Sequence, residues 1–246
     1  MSDPPAIEIR GLQFEYPDGL PALRGIDLRV ARGEKVALIG PNGAGKSTLL
    51  MHLNGILRGA GSVSILGTTV DDRSLRDVRA LVGLLFPNPD DQLFSPTVFD
   101  DVAFGPLYMG LPRDEVERRA NEALAQVGMS GFGGRMPHRL SMGQKKRVAI
   151  ATVLAMGAPV LALDEPTANL APGARRELIG LLRDLPQTML VSTHDLGMVH
   201  DVFPRAIVMD EGRIVADGDT SRLLADESML RAHDLEPVGL TEGPFA

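Results

Sequence analysis

The 246-residue sequence contains no cysteine and no tryptophan, and only 4% of its residues are aromatic. Without cysteine the chain has no disulfide framework, no thiolate zinc site and no cysteine nucleophile. Long apolar runs are also lacking, since no uninterrupted stretch approaches the ~20 residues that a membrane-spanning helix needs. The first residues, Met1 to Pro5, lack the basic and apolar segments of a secretory signal. We therefore expect an intracellular protein that does not itself span a bilayer.

Positive charge is in deficit, with 25 Lys and Arg against 32 Asp and Glu, a formal net charge of −7. Such a balance gives no basic footprint for nucleic acid, so no nucleic-acid partner is expected. The hydrophobic fraction of 44% and the charged fraction of 23% are typical of a globular protein rather than a disordered one. This length suits one large domain or two small ones.

Short apolar runs alternate with helical patterns along the chain. Alternating residues predict half-buried strands at 7–9, 26–30 and 62–66, and continuous apolar runs predict buried strands at 35–39, 160–163, 188–191 and 206–209. A late hairpin strand is predicted at 212–218. Helices are predicted at 47–57, after Leu111 with Asp114 as N-cap, at 141–154 and at 175–185. Buried strands that alternate with helices predict an α/β core with a parallel sheet, into which a helical region at about 95–155 is inserted.

A glycine-rich loop follows the predicted strand 35–39 and opens the next predicted helix. Its residues match G-x-x-x-x-G-K-[ST] in the context that the motif requires. Glycines let several backbone N–H groups face one anion, and the helix N-terminus adds its positive dipole end. The lysine can reach the β- and γ-phosphates, and the serine hydroxyl can bind Mg²⁺. The predicted nucleotide-binding residues are Gly40, Pro41, Asn42, Gly43, Ala44, Gly45, Lys46, Ser47 and the adjoining Thr48.

Two acids and one histidine follow later buried strands. The strand at 160–163 runs directly into Asp164, placed to support Mg²⁺, and Glu165, placed to polarise an attacking water as general base. His194 follows the strand at 188–191, where a neutral imidazole can hydrogen-bond the γ-phosphate or the water. Because parallel strands end at one crevice, these groups are expected to face the phosphate loop.

Between the phosphate loop and Asp164 lies a segment, Leu140 to Arg147, that resembles the L-S-G-G-Q signature of ABC-transporter ATPases. The resemblance covers about residues 6–222 and implies a P-loop NTPase fold with a RecA-like parallel-sheet core, an N-terminal antiparallel β subdomain and the inserted helical subdomain. Residues 1–225 form the ATPase domain in this scheme, and 226–246 a short, loosely held tail. It also implies ATP and Mg²⁺ as cofactors and an ATP-dependent, head-to-tail homodimer. Tyr16 then stacks on adenine, and Ser141, Gly143 and Gln144 contact the nucleotide of the partner subunit.

A narrower resemblance lies in the segment from Phe86 to Pro106, which is similar to the ATPases of energy-coupling-factor importers of the cobalt and nickel subgroup. It implies ATP-driven import of cobalt or nickel, with this chain on the cytoplasmic face of the cell membrane. A transmembrane coupling subunit and a substrate-binding membrane subunit are the implied partners. The groove for the coupling subunit is assigned to Pro89, Asp90, Gln92 and Leu93.

Three positions depart from the family pattern. Pro87 stands where the family has a glutamine that contacts Mg²⁺ and water, Met142 replaces the first signature glycine, and Ala171 replaces an aspartate that couples the two sites of the dimer. Proline has neither an N–H nor a side-chain oxygen, so it cannot replace that glutamine. Gln92 is an alternative oxygen donor toward the metal. These departures predict slow hydrolysis and loose coupling.

The sequence leaves other functions open. The chain can serve a related importer of biotin or another vitamin, because this subunit does not touch the solute. The three departures also fit a nucleotide-gated regulatory subunit that binds ATP with little turnover. Action on DNA or ribosomes is disfavoured, since such ATPases usually carry paired domains and this chain has one phosphate loop.

Overall fold

The computed structural model describes residues 3–236 of the chain. Its strands are β1 (Ile7–Glu15), β2 (Pro21–Val30), β3 (Lys35–Ile39), β4 (Ala60–Ile65), β5 (Thr68–Thr69), β6 (Val82–Leu85), β7 (Val160–Asp164), β8 (Thr188–Ser192), β9 (Arg205–Asp210) and β10 (Arg213–Asp219). Its α-helices are α1 (Lys46–Leu53), α2 (Leu75–Leu81), α3 (Val98–Tyr108), α4 (Arg113–Gln126), α5 (Met142–Ala155), α6 (Pro172–Asp184), α7 (Leu196–Val202), α8 (Thr220–Ala225) and α9 (Glu227–Ala232). Short 3-10 helices lie at Pro89–Asp91 and Pro137–Arg139.

The strands form two sheets. The first is four-stranded in the order β2-β1-β4-β5, and its pairs are antiparallel. The second is six-stranded in the order β10-β9-β3-β8-β7-β6, with parallel pairing throughout except between β10 and β9. The mixed α/β fold class predicted from the sequence is therefore confirmed, including the antiparallel N-terminal sheet.

The six-stranded sheet separates two hydrophobic cores, because successive side chains of a strand point to opposite faces. Val36 and Leu38 of β3 pack with α1 and the four-stranded sheet, whereas Ala37 and Ile39 pack with the helices on the other side. Covering both faces explains why β3, β7 and β8 are continuous apolar runs rather than alternating ones. It also leaves the carboxyl ends of these three strands at one edge.

Helices α3, α4 and α5 lie between β6 and β7 in the chain and pack on one another. The apolar stripe of α4 is buried and comprises Val116, Ala120, Ala123 and Leu124, with Val127 at the C-cap. The prediction of Asp114 as its N-cap is wrong, because the cap is Pro112, whose carbonyl accepts the first helical hydrogen bond from Val116 at 2.9 Å. Asp114 instead lies in the first turn, where a carboxylate favours the positive end of the helix dipole.

The chain beyond residue 225 continues as folded structure. Helix α9 follows α8 directly, and Leu230 and Leu235 are buried in the helical core. The expectation of a loosely held tail from 226 is thus wrong as far as residue 235, because these two leucines supply apolar surface to bury. Residues 237–246 of that expected tail lie outside the described part. None of the helices between residues 3 and 236 has the length and apolarity needed to cross a membrane.

Candidate active site

The phosphate loop joins β3 to α1 and passes very close to other backbone. A Cβ on Gly40, where φ is 146°, would lie 2.0 Å from the carbonyl oxygen of Met209. A Cβ on Gly45, where φ is 98°, would lie 2.5 Å from the carbonyl oxygen of Ala22. Only glycine fits at either position. The loop is therefore shaped by its two motif glycines against β9 and β2.

Lys46 is the first residue of α1 and is buried, with 7% of its surface exposed. Its Nζ donates to the carbonyl oxygens of Gly40, at 2.6 Å, and Pro41, at 2.8 Å. Burial lowers the pKa of Lys46, and the charges of Glu165 and Asp164 oppose that shift. The ammonium group is thus held inside the loop and close to both acids.

Tyr16 is positioned by α1. Its hydroxyl and the Oγ1 of buried Thr48 are 3.0 Å apart, within hydrogen-bond distance. The edge of its ring meets Phe14, with centroids 5.0 Å apart at 82°, and Phe14 in turn packs on His52 at 4.9 Å. The predicted adenine-stacking residue and the predicted phosphate loop are therefore joined through Thr48.

Asp164 ends β7, and Glu165 begins the loop that follows. Asp164 is buried and accepts a hydrogen bond from the hydroxyl of Ser192 on β8. Glu165 adopts the left-handed conformation, with φ of 47°, and its backbone N–H donates to the carbonyl of Ser192 at 3.0 Å. The neighbouring strand thus holds both acids, and the turn at Glu165 redirects its side chain.

The Glu165 carboxylate faces His194. Its Oε1 is buried and has no hydrogen-bond partner among residues 3–236, although Nε2 of His194 lies 3.4 Å away. Burial raises the pKa of Glu165, while the backbone of His194 and the charge of Lys46 partly oppose this. Burial, together with the charge of Lys46, lowers the pKa of His194, which favours a neutral imidazole near neutral pH.

The strand ends and the start of α1 thus bring together four of the residues predicted from the sequence: Lys46, Asp164, Glu165 and His194. Ser47 follows Lys46 on α1. These groups fit a magnesium nucleotide, because the loop has backbone closely packed behind it, the lysine is buried, and Glu165 carries an unpartnered carboxylate oxygen. Within residues 3–236 no three histidine, cysteine or acidic side chains are grouped to hold a metal. Mg²⁺ bound with a nucleotide usually takes only one or two ligands from the protein, because phosphates and water complete its coordination shell. The Ser47 hydroxyl and the Asp164 carboxylate would be sufficient.

The signature residues begin α5. Ser141 caps this helix: its Oγ accepts from the N–H of Gln144 at 3.4 Å, and the Gln144 side chain accepts from the N–H of Ser141 at 3.0 Å. Met142 is helical, so its Cβ is tolerated, and it is 40% exposed. Within the described chain no hydrogen bond joins Ser141, Gly143 or Gln144 to the phosphate loop. Their contacts to the nucleotide of a partner subunit therefore remain a prediction.

The alternative of Gln92 as a metal ligand does not agree with the structure. Its carboxamide oxygen accepts from the N–H of Phe86 at 3.2 Å. Its nitrogen donates to the carbonyl of Ala149 at 3.0 Å and to Oγ1 of Thr152 at 2.7 Å. Both ends of the amide are thus used to fasten the loop after β6 to α5, and none is directed at the phosphate loop.

A groove lies beside that loop, with a cavity of about 660 Å³ lined in part by Gln92, Phe94, Phe104 and Tyr108. Of the residues predicted to form the partner groove, Pro89 and Leu93 are buried and Asp90 is paired with Lys145 at 2.6 Å. Sequence reasoning missed the aromatic wall. The available signal is the spacing of Phe104, Leu107 and Tyr108, which places three exposed apolar residues on one face of α3.

Known proteins resemble this chain along most of its length. The family model described as ABC transporter matches residues 23–168. A putative ABC transporter ATP-binding protein of Streptomyces avermitilis is 55% identical over 237 residues, which are 96% of this chain and 90% of that protein. The energy-coupling factor transporter ATP-binding protein EcfA of Methanothermobacter thermautotrophicus is 51% identical over 93% of this chain and 76% of its own.

Solved structures agree with the fold described above. A CbiO protein of Clostridium perfringens, described as part of the ABC transporter complex CbiONQ, superimposes with a TM-score of 0.81 and 38% identity, over 95% of this chain and 96% of that one. A dimeric ATP-binding cassette in a post-hydrolysis state, bound to ADP and Pi, superimposes with a TM-score of 0.79 and 27% identity, over 87% and 98%. Two packed sheets, a phosphate loop and paired acids thus define an ATP-binding cassette.

The chain belongs to the ABC transporter family, and its relatives include energy-coupling-factor ATPases. It is an ABC-type ATPase, whose hydrolysis of ATP is coupled to transport.

Proposed function

We propose that this chain is the ATPase subunit of an energy-coupling-factor importer for cobalt or nickel. The observation that carries the enzymatic part is the convergence of Lys46, Asp164, Glu165 and His194 at one edge of the parallel sheet. The solute assignment is supported by the resemblance of the segment from Phe86 to Pro106 to the cobalt and nickel subgroup. The likeness to the Clostridium perfringens CbiO protein, part of an ABC transporter complex, supports the transporter class. In this proposal ATP and Mg²⁺ occupy the phosphate loop, with Tyr16 against the adenine.

The roles of the site residues follow from their surroundings. Lys46 exchanges its carbonyl partners for the β- and γ-phosphates. Ser47 and Asp164 would hold Mg²⁺, which when bound would supply positive charge to the phosphates. Glu165 accepts the proton of the water whose oxygen attacks the γ-phosphorus, while the bond to the bridging oxygen breaks and ADP leaves. Its raised pKa suits a general base, because a base acts best when its pKa is near the working pH. Neutral His194 hydrogen-bonds the γ-phosphate or the water.

Two copies of the chain complete the site in this proposal. Ser141 and Gly143 begin α5, which leaves the N-terminal end of a 14-residue helix to face the phosphate of a partner subunit. The test is Glu165→Gln, which keeps the size of the side chain and removes its basicity. With ATP and Mg²⁺ this variant should elute as a dimer on gel filtration and release phosphate only at a low residual rate. A second variant, Glu165→Gln with Lys46→Ala, should stay monomeric because it cannot hold the nucleotide.

The groove beside Gln92 is proposed to receive a helix of the transmembrane coupling subunit, which places the chain at the cytoplasmic face of the membrane. Phe94 is 68% exposed, Phe104 50% and Tyr108 57%, and the first two rings pack edge to face at 5.2 Å. Exposed aromatic anchors of this kind favour an apolar partner surface. Phe104→Ser should therefore prevent co-purification with the membrane subunits and leave ATP hydrolysis by the isolated chain unchanged.

The transported solute is decided by uptake. Cells that express the chain with its membrane subunits should accumulate labelled cobalt or nickel, and the Glu165→Gln variant should not. Uptake of labelled biotin instead would make the chain part of a vitamin importer. Tight ATP binding without phosphate release in the full complex would favour the regulatory alternative that Pro87, Met142 and Ala171 raise.

A further inference from the structure

Lys146 of α5 is a buried cation that the catalytic scheme does not use. Only 1% of its surface is exposed. Its Nζ donates to two backbone carbonyls, those of Pro87 and of Glu165, the latter at 2.9 Å. A buried ammonium group is costly unless it is paired and hydrogen-bonded, so these two acceptors define its place.

The two carbonyls belong to loops that leave neighbouring strands. Pro87 follows β6, Glu165 follows β7, and these strands are paired in parallel, so one ammonium group can reach both. The loop from Pro87 continues into Gln92, whose amide fastens it to α5 on the wall of the groove. Lys146 therefore connects α5, on which it lies, to the loop after β6 and to the backbone of Glu165.

The hydrogen bond from Lys146 is made to a residue whose backbone conformation is strained. Glu165 has φ of 47°, a conformation that an L-residue with a side chain rarely adopts and that surrounding contacts must hold. Its carbonyl accepts from Lys146 and from the N–H of Ala168 at 3.3 Å, while its own N–H donates to Ser192. The direction of the Cα–Cβ bond sets where the Glu165 carboxylate points. A shift of the Glu165 carbonyl rotates this part of the backbone and therefore moves the carboxylate that faces His194.

We propose that Lys146 is a positioning residue that links the loop after β6, through Pro87, to the backbone of Glu165. A movement of that loop, which lies beside the groove, would then change the direction of the Glu165 carboxylate through the Lys146 ammonium group. Pro87 has no side-chain donor, so its link to the site runs through its carbonyl. This inference rests on the proposed role of Glu165 as general base. It assigns to Lys146 no contact with the nucleotide.

The matched pair Lys146→Met and Lys145→Met tests this in the purified chain. Lys145 is the preceding residue and is paired with Asp90, so its loss controls for a change of charge on α5. Lys146→Met should lower kcat at least about tenfold and leave the KM for ATP within about twofold, the pattern of a lost transition-state contribution. Lys145→Met should change neither value. Equal losses in kcat and in ATP affinity, or no loss of kcat, would overturn the proposal.

A double-variant comparison separates positioning from general damage. Glu165→Gln alone should reduce hydrolysis to a low residual rate, and failure to do so would refute the proposed function rather than this inference. In the Glu165→Gln background Lys146→Met should leave that residual rate unchanged, because its effect passes through a group already disabled. A further fall of similar size would show that Lys146 acts independently of Glu165 and would refute the link. If Lys146→Met does not fold, Lys146→Gln, which removes the charge and keeps a donor nitrogen, is compared in the same two backgrounds.

Discussion

Arg175 of α6 forms a bidentate ion pair with Asp195, the residue after His194. Its Nε donates to Oδ2 and its Nη2 to Oδ1, each at 2.5 Å. Thr167 also contacts Asp195 Oδ2 at 3.3 Å, and the Asp195 side chain caps α7 through the N–H of Met198 at 2.9 Å. One carboxylate thus joins the loop after Glu165, the helix after Ala171 and the loop that carries His194.

This ion pair predicts a pH-dependent loss of stability. Burial alone would raise the pKa of Asp195, but hydrogen bonds from Arg175 and Met198 hold it below its ordinary value. A depressed pKa stabilises the fold above the unfolded value, about 4, and that stabilisation disappears as the pH falls through the folded value. Asp195→Asn should lower the free energy of unfolding by about 1–3 kcal/mol at pH ~7, and the difference should shrink toward pH ~3.

Urea unfolding at several pH values measures this difference. Exposed Asp184 at the end of α6 supplies the control, since Asp184→Asn should change the free energy of unfolding by less than about 0.5 kcal/mol at every pH. A gap between wild type and Asp195→Asn that stays constant with pH would contradict the role given to the carboxylate.

The contact between β6 and α5 leaves no room for a methyl group. A Cβ on Gly83 would lie 2.2 Å from Cγ1 of Val153, a stiff β-branched side chain. Gly83→Ala should therefore lower the free energy of unfolding by about 1–3 kcal/mol through overpacking. Val153→Ala opens the needed space, so the double variant should lose less than the two single losses added together. Strict additivity in thermal or urea unfolding would show that the two positions do not share this space.

Two lysines with similar hydrogen bonding, buried Lys46 and half-buried Lys35, should separate ATP binding from fold stability. Lys46 donates to the carbonyls of Gly40 and Pro41, and Lys35 donates to those of Leu182 and Arg183. Lys46→Met should reduce ATP hydrolysis more than about 100-fold, because the phosphates lose a fixed positive charge. Lys35→Met should leave ATP affinity unchanged and lower the unfolding free energy. Calorimetric ATP titration and urea unfolding of both variants decide this, and loss of ATP binding in Lys35→Met would contradict it.

The departures at positions 87 and 171 predict that restoring the family residues speeds hydrolysis. Pro87→Gln returns an amide oxygen toward the site, and Ala171→Asp returns a carboxylate at the N-cap of α6, which has no side-chain cap. We expect a several-fold rise in the steady-state ATPase rate of the double variant, with part of the rise in each single one. An unchanged rate in the double variant would refute the hypothesis of weakened hydrolysis.

The sequence predicts β3, β7 and β8 and the acids that follow β7, because burial on both faces makes these three strands continuous apolar runs. The ends of such strands in a parallel sheet share one edge, so the sequence alone groups Lys46, Asp164, Glu165 and His194. The N-cap of α4 was misplaced because Asp114 is a better cap by composition than Pro112. Only tertiary packing decides that choice.

Other features depend on contacts that sequence patterns do not carry. Lys146 looks like one basic residue among three at 145–147, and its acceptors are backbone carbonyls in two distant loops. The amide of Gln92 could be directed to the metal or to α5, and only the position of Ala149 and Thr152 decides between them. Exposed aromatic residues on α3 break the usual pattern of a buried stripe, so the sequence predicts a helical region at about 95–155 without the bounds of this helix.

Glu165 also limits how stable this chain can become. Its left-handed backbone and its buried carboxylate oxygen, which has no partner within residues 3–236, both oppose folding, and glycine at this position would relieve both. Directed evolution for thermal tolerance alone would therefore favour Glu165→Gly and discard the base in its first rounds. A more heat-resistant variant that still hydrolyses ATP must therefore gain unfolding free energy at other positions and keep the unfavourable backbone conformation of Glu165.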